Sequence, residues 1–133
     1  MAITFNHLNL LMSKDNDAHY LLTEVMGLAS GSRPNFPFQG QWLYQGDKAL
    51  IHVIESDKQQ AEIGHIAFEI DVKLDVLTQK LNQGQIKYNV RQVPDSELVQ
   101  VFVRTGNVVF ELITIDKPNQ QEFDIFSQHE ELS

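Results

Sequence analysis

One pattern is used twice along this chain, and that repetition limits what it can fold into more than any other feature. Asn6-His7-Leu8 and Gly64-His65-Ile66 each open a predicted strand that runs into a helix. Self-similarity of this kind marks a fold assembled from copies of one supersecondary unit. His52 follows His7 by forty-five residues and Glu111 follows His65 by forty-six, so each half opens and closes on a potential metal ligand. The expected organisation is a single domain over residues 1–116, with repeat units at about 3–55 and 63–115.

Local patterning fills in the units. Ile3 to Leu11 alternates with a period of two and places Phe5, His7, Asn9 and Leu11 on one strand face. Ser13 offers an N-cap, Asp15 and Asp17 suit a first helical turn, and Tyr20, Leu21, Val25 and Leu28 recur at helical spacing up to a stop at Gly27. After a loop from Ser30 to Gly40, with room for a short strand before it, come strands at Gln41–Gln45 and Ala49–Ile54 around the turn Gly46-Asp47. Polar residues Glu55 to Glu62 read as a linker. The second unit then runs as a strand at Ile63–Ile70 and a helix with Leu74, Leu77 and Leu81 on one face and Gly84 at its end. Strands follow at Ile86–Val93, Leu98–Arg104 and Val108–Ile115.

Composition narrows the partners. A formal net charge of −8, with Lys and Arg scattered, disfavours a phosphate backbone, so no nucleic-acid partner is expected. No apolar run reaches the length of a membrane span and no signal-peptide pattern opens the chain, so the expectation is a soluble, cytoplasmic protein with a small-molecule substrate. With no cysteine, thiolate ligands, disulfides and cysteine nucleophiles are excluded together. The tail from Lys117 to Ser133 is acidic, and Phe123, Ile125 and Phe126 are its apolar cluster; docking and partial disorder are both open for it.

Histidine and carboxylate are what remain for metal chemistry. Imidazole and carboxylate suit Fe(II), Zn, Ni, Co and Mn, and two His with one carboxylate leave coordination positions open for substrate. Glu111 shares its strand face with Val109 and Ile113, where a carboxylate is costly unless paired, protonated or metal-bound. His65 likewise sits among Ile63 and Ala67. A lone strand histidine is more often a packing residue, and it is the repeat-related placement of His7, His52, His65 and Glu111 that favours one divalent metal site. His19 and His129 lack that relation.

At these residues the chain resembles the vicinal oxygen chelate superfamily, which includes glyoxalase I, the fosfomycin-resistance thiol transferases, extradiol dioxygenases and bleomycin-resistance proteins. The resemblance covers roughly residues 3 to 115. It is carried by Asn6-His7-Leu8-Asn9-Leu10, Ala49-Leu50-Ile51-His52-Val53, Gly64-His65-Ile66-Ala67-Phe68 and Gly106-Asn107-Val108-Val109-Phe110-Glu111-Leu112. It implies an α+β fold in which two βαβββ repeats form a curved mixed sheet, a cup around a divalent metal, in a protein that commonly forms a homodimer. By the same resemblance His7, His65 and Glu111 match the ligand positions, with Glu111 also among the catalytic groups. His52 stands where glyoxalase I carries a glutamate, which leaves it as fourth ligand, general base or substrate contact. The turn Arg104-Thr105-Gly106-Asn107 lacks the Asp-Pro pair of many relatives.

The stretch from Arg33 to Asp47 resembles a subgroup of lactoylglutathione-lyase-like proteins. Phe36, Phe38 and Trp42 suit an apolar substrate wall and Arg33 a substrate carboxylate or phosphate; the bland alternatives are loop anchors and a solvated cation. The expected function is a metal-dependent enzyme of lyase or isomerase type, the metal polarising substrate oxygens. Three alternatives stand beside it. One is an Fe(II) ring-cleaving dioxygenase, one a non-catalytic binding dimer of the resistance type, and one a thiol transferase of the fosfomycin-resistance kind.

Overall fold

A computed structural model of the chain describes residues 1–13, 15–58 and 60–115; the tail segment 117–133 lies outside the described residues. Its elements are β1 (Ile3–Met12), α1 (Asp17–Tyr20) continuing into a π-helical turn (Leu21–Val25), β2 (Ala29–Gly31), β3 (Gly40–Gln45) and β4 (Lys48–Glu55). The same order then recurs as β5 (Glu62–Ile70), α2 (Leu74–Gln83), β6 (Asn89–Gln92), β7 (Leu98–Thr105) and β8 (Val108–Ile115). The pairing is mixed, parallel between β1 and β4 and antiparallel in the hairpins, which makes the fold α+β. Among the described residues no helix is long and apolar enough to cross a membrane.

The described residues divide into two compact units, one within residues 7–66 and one of residues 1–6 with 67–115. The boundary passes through β1 and β5, so each of these strands contributes to both.

In the unit of residues 7–66, β4 pairs with β1 in the register Leu8↔Ile51 to Met12↔Glu55 and with β3 on its other side. Alternation then sorts the side chains. Met12, Leu43 and Val53 point to the helical side, where they form a buried cluster with Leu22 and Leu28. His7, Asn9, Trp42 and His52 take the opposite face by the same alternation. Gly46, at φ +61°, makes the β3–β4 turn, a left-handed position glycine occupies without steric cost.

The first helix departs from the expected one. Its N-cap is Asn16, whose side chain accepts from the Ala18 N–H at 2.8 Å, and not Ser13. After Tyr20 the chain takes a wider turn closed by Met26 N–H to the Leu21 carbonyl, an i→i+5 bond. Tyr20 (64% exposed), Leu21 and Val25 (65% exposed) lie at the surface, and Leu22 joins the expected Leu28 in the core. A spacing of 3.6 residues no longer names the inward face once a π turn intervenes.

In the other unit β6, β7 and β8 form an antiparallel set. Val90, Val99, Val101 and Val103 pack against Leu74, Leu77 and Leu81, the three positions that helical spacing marks on α2. Burying each such leucine is worth about 1.5–3 kcal/mol. Phe102, Val109, Glu111 and Ile113 are buried on the other side of β7 and β8. The strand expected from Ile86 begins only at Asn89. Gln85 takes a left-handed φ of 58° and Ile86 N–H returns to the Leu81 carbonyl at 2.9 Å, so residues 85–86 close the helix rather than open the strand.

Candidate metal and substrate site

Each candidate ligand is delivered by a strand. His7 comes from β1, His52 from β4, His65 from β5 and Glu111 from β8. All four are buried, with His7 and His65 at 3% exposure, Glu111 at 2% and His52 at 8%. Burial of this many ionisable groups opposes folding unless each finds a partner, so their placement calls for a chemical reason.

His7 and His65 meet edge to face, their ring planes at 77°, with the two Nε2 atoms 3.3 Å apart. Two readings fit that separation. One is an N–H···N hydrogen bond, whose direction depends on the tautomers. The other is a shared ion: nitrogens bound to zinc at about 2.0–2.1 Å and subtending a tetrahedral angle lie about 3.3–3.4 Å apart. The donor chemistry fits a borderline divalent metal; His7 and His65 are two buried imidazole donors of the unit of residues 7–66, and Glu111 is a buried carboxylate of the other unit.

Glu111 has its own support within β7 and β8. Gln100 Nε2 donates to Glu111 Oε2 at 3.0 Å, which fixes one carboxylate oxygen and orients the group. A neutral amide donor stabilises the ionised carboxylate without cancelling its charge. Gln100 went unnoticed in the sequence because a lone Gln in a Val-rich strand carries no motif, although strict alternation places it on the Glu111 side.

His52 is arranged differently. Its ring lies flat between two others, 3.5 Å from His7 at 14° and 3.7 Å from Trp42 at 13°. Imidazole lone pairs lie in the ring plane, so parallel stacked rings point theirs side by side instead of converging. In this geometry His52 does not fit a fourth ligand beside His7.

The four residues expected to contact substrate extend the same stack. Phe36 lies 6.5 Å from Trp42 between ring centroids and stacks on Phe38 at 5.0 Å and 18°. The Arg33 guanidinium sits over both phenylalanine rings, at 5.5 and 5.3 Å. His65, His7, His52, Trp42, Phe36, Phe38 and Arg33 are therefore one continuous series of contacts within residues 7–66.

Asn9 is a further residue that patterning alone did not single out. It is fully buried beneath this series, and its Nδ2 donates to the His52 carbonyl at 2.9 Å, tying β1 to β4 at the level of the imidazoles. A Cβ on Gly64 would fall 1.8 Å from Asn9 Oδ1, so glycine next to His65 is what lets the amide in. The signal available in the sequence was an Asn two residues beyond His7 on the same strand face.

Comparison with known proteins addresses the fold. No protein-family model matches the sequence, and no curated protein sequence matches it. Solved structures do. A hypothetical protein from Bacillus halodurans C-125 is similar with a TM-score of 0.66 at 13% identity, over 90% of this chain and 98% of that one. The methylmalonyl-CoA epimerase of Mycobacterium tuberculosis gives 0.62 at 14% identity, over 91% of each chain. A Mn(II)-bound glyoxalase from Novosphingobium aromaticivorans gives 0.60 at 18% identity, over 86% of this chain and 40% of that one. The chain has the fold of the vicinal oxygen chelate superfamily, as its paired strand-helix-strand-strand-strand order and these likenesses together define it.

Proposed function

We propose that the protein is a metal-dependent enzyme in which His7, His65 and Glu111 hold one divalent ion and a small-molecule substrate lies along the aromatic series from His52 to Phe38. The observation that carries this reading is the His7–His65 pair, two buried imidazoles with Nε2 atoms 3.3 Å apart. When bound, the ion supplies Lewis-acid polarisation of substrate oxygens. Lyase or isomerase chemistry is our leading reading; structures of similar fold include an epimerase and a Mn(II)-bound glyoxalase, and also dioxygenases, among them a ring-cleaving one, which keep that chemistry as the second reading.

The chain's own residues supply the remainder. Trp42, Phe36 and Phe38 exclude water from one side of the substrate and position it by contact with flat apolar faces. Gln100 holds the Glu111 carboxylate in one orientation. His52, stacked and not ligating, has ring nitrogens suited to moving a proton to or from the substrate as general base or acid. In the proposed assembly two copies form a homodimer, which the exposed apolar side chains of Tyr20, Leu21, Val25 and Met26 favour.

Cobalt(II) titration of chelator-treated protein tests the ligand set. The expected result is visible absorption of a four- or five-coordinate ion saturating at one equivalent, lost in His7→Ala and His65→Ala and kept in His52→Ala. An octahedral aquo spectrum at all ratios contradicts it.

A further inference from the structure

The geometry points to Arg33 as the anion-recognising group of this site, so that the substrate carries a carboxylate or phosphate next to a flat apolar portion. This rests on the preceding reading in taking the His52–Trp42 face as the substrate side.

Arg33 is, among the described residues, a partly buried cation without an anion. Among the described residues its guanidinium has one acceptor, the Phe38 carbonyl, reached by Nη2 at 3.2 Å, and no carboxylate pairs with it. Its Nε is buried and has no hydrogen-bond partner. An arginine offers five N–H donors, so most of this fork's capacity is unused by the described residues. Burial lowers its pKa from the ordinary value, the direction expected for a charge removed from water without compensation.

The fold holds the cation in this costly place by an aromatic clamp. The rings of Phe36 and Phe38 lie against it, and their π faces attract the guanidinium while leaving its edges able to donate. Gly40 marks where the guanidinium lies against β3: a Cβ there would meet Arg33 Cζ at an ordinary contact distance of 3.5 Å, while its close approach, 2.5 Å, would be to the Val53 carbonyl oxygen. Gly40 and Trp42 share a strand face by alternation, and His52 stacks on Trp42 from the adjacent strand. The guanidinium therefore belongs to the face that carries the imidazoles. A solvated surface arginine would not need the aromatic clamp.

A planar guanidinium with free edges matches carboxylate and phosphate oxygens two at a time, and loss of such a charge-assisted pair typically weakens binding tenfold or more. The neighbouring Phe36–Trp42 surface selects an aromatic or other flat body for the same ligand.

Isothermal titration of the full chain with benzoate, phenyl phosphate and phenol tests this, in both as-purified and chelator-treated protein so that a bound metal is not mistaken for Arg33. At least one of the two anions should bind more tightly than phenol, and the tighter one identifies the anion class. Arg33→Gln should weaken that anion at least tenfold and leave phenol unchanged, with Arg33→Lys intermediate. Side-chain ¹⁵N resonances of Arg33 in the wild-type protein should shift with the anion and not with phenol, which keeps the test independent of how the variants fold. Equal binding of all three probes, unchanged affinity in a folded Arg33→Gln variant, or an unmoved Arg33 resonance overturns the inference. Metal content is read separately. Anion binding dependent on Arg33 in protein that takes up no metal would refute the metal site and leave this inference standing, whereas metal uptake without that dependence refutes this inference alone.

Discussion

The His7 and His52 rings stack at 3.5 Å with 14° between their planes, while His7 and His65 meet at 77°. Three imidazoles in one buried cluster are thus sorted by angle alone. The steep pair can converge two lone pairs on an ion, and the flat pair cannot. His52→Ala should therefore keep its metal at wild-type stoichiometry and lose roughly a hundredfold or more in turnover, the usual scale for a general acid or base. Metal analysis beside steady-state rates checks this once a substrate is in hand, and loss of the ion in that variant would restore His52 to the ligand set.

Gln100 should matter to the metal without touching it. Its amide donates to Glu111 Oε2 at 3.0 Å, and removing such a support typically costs ten- to a hundredfold in affinity. We expect Gln100→Ala to weaken metal binding by about that factor while circular dichroism stays unchanged. Competition with a chromophoric chelator measures it, and equal affinity would show that Glu111 is oriented by other groups.

The Asn9–Gly64 packing predicts a non-additive pair. Gly64→Ala puts a methyl group 1.8 Å from Asn9 Oδ1 and should destabilise by about 1–3 kcal/mol, the usual range for overpacking. Asn9→Ala loses the bond to the His52 carbonyl and should cost about 1–3 kcal/mol. The double variant should cost clearly less than the sum, because removing the amide removes the clash. Urea denaturation of the four proteins decides it; strict additivity would mean the two residues do not meet.

Tyr20, Leu21, Val25 and Met26 all lie at the surface, an apolar stretch that water does not favour. Light scattering at micromolar concentration should give a dimer mass. A monomer that retains metal and activity would contradict the proposed assembly.

The residues that were readable in advance were those obeying a simple period. The alternation in β8 put Glu111 among buried neighbours, and Leu74, Leu77 and Leu81 marked the core side of α2. What escaped depended on something longer in range. The inward face of the first helix was lost because an i→i+5 turn after Tyr20 breaks the 3.6-residue spacing. Ile86 is apolar and strand-forming, yet its N–H is taken by the end of α2. His52 was placed in the site by the repeat, but its flat stacking on Trp42 follows from the Trp42↔His52 register, which no single segment encodes. Asn9 and Gln100 act through cross-strand partners and have no motif of their own.

The most direct measurement is elemental analysis of protein purified without chelators, comparing the wild type with a His65→Ala/Glu111→Ala double variant. A site built on His7, His65 and Glu111 should hold about one divalent ion per chain in the wild type and none in the double variant. The wild type should also melt at lower temperature after chelation, since a ligand at a hundred times its Kd stabilises the folded state by about 2.7 kcal/mol. Full metal occupancy in the double variant, or a wild type that takes up no divalent ion from any of the zinc, nickel, iron, cobalt or manganese salts, would contradict it.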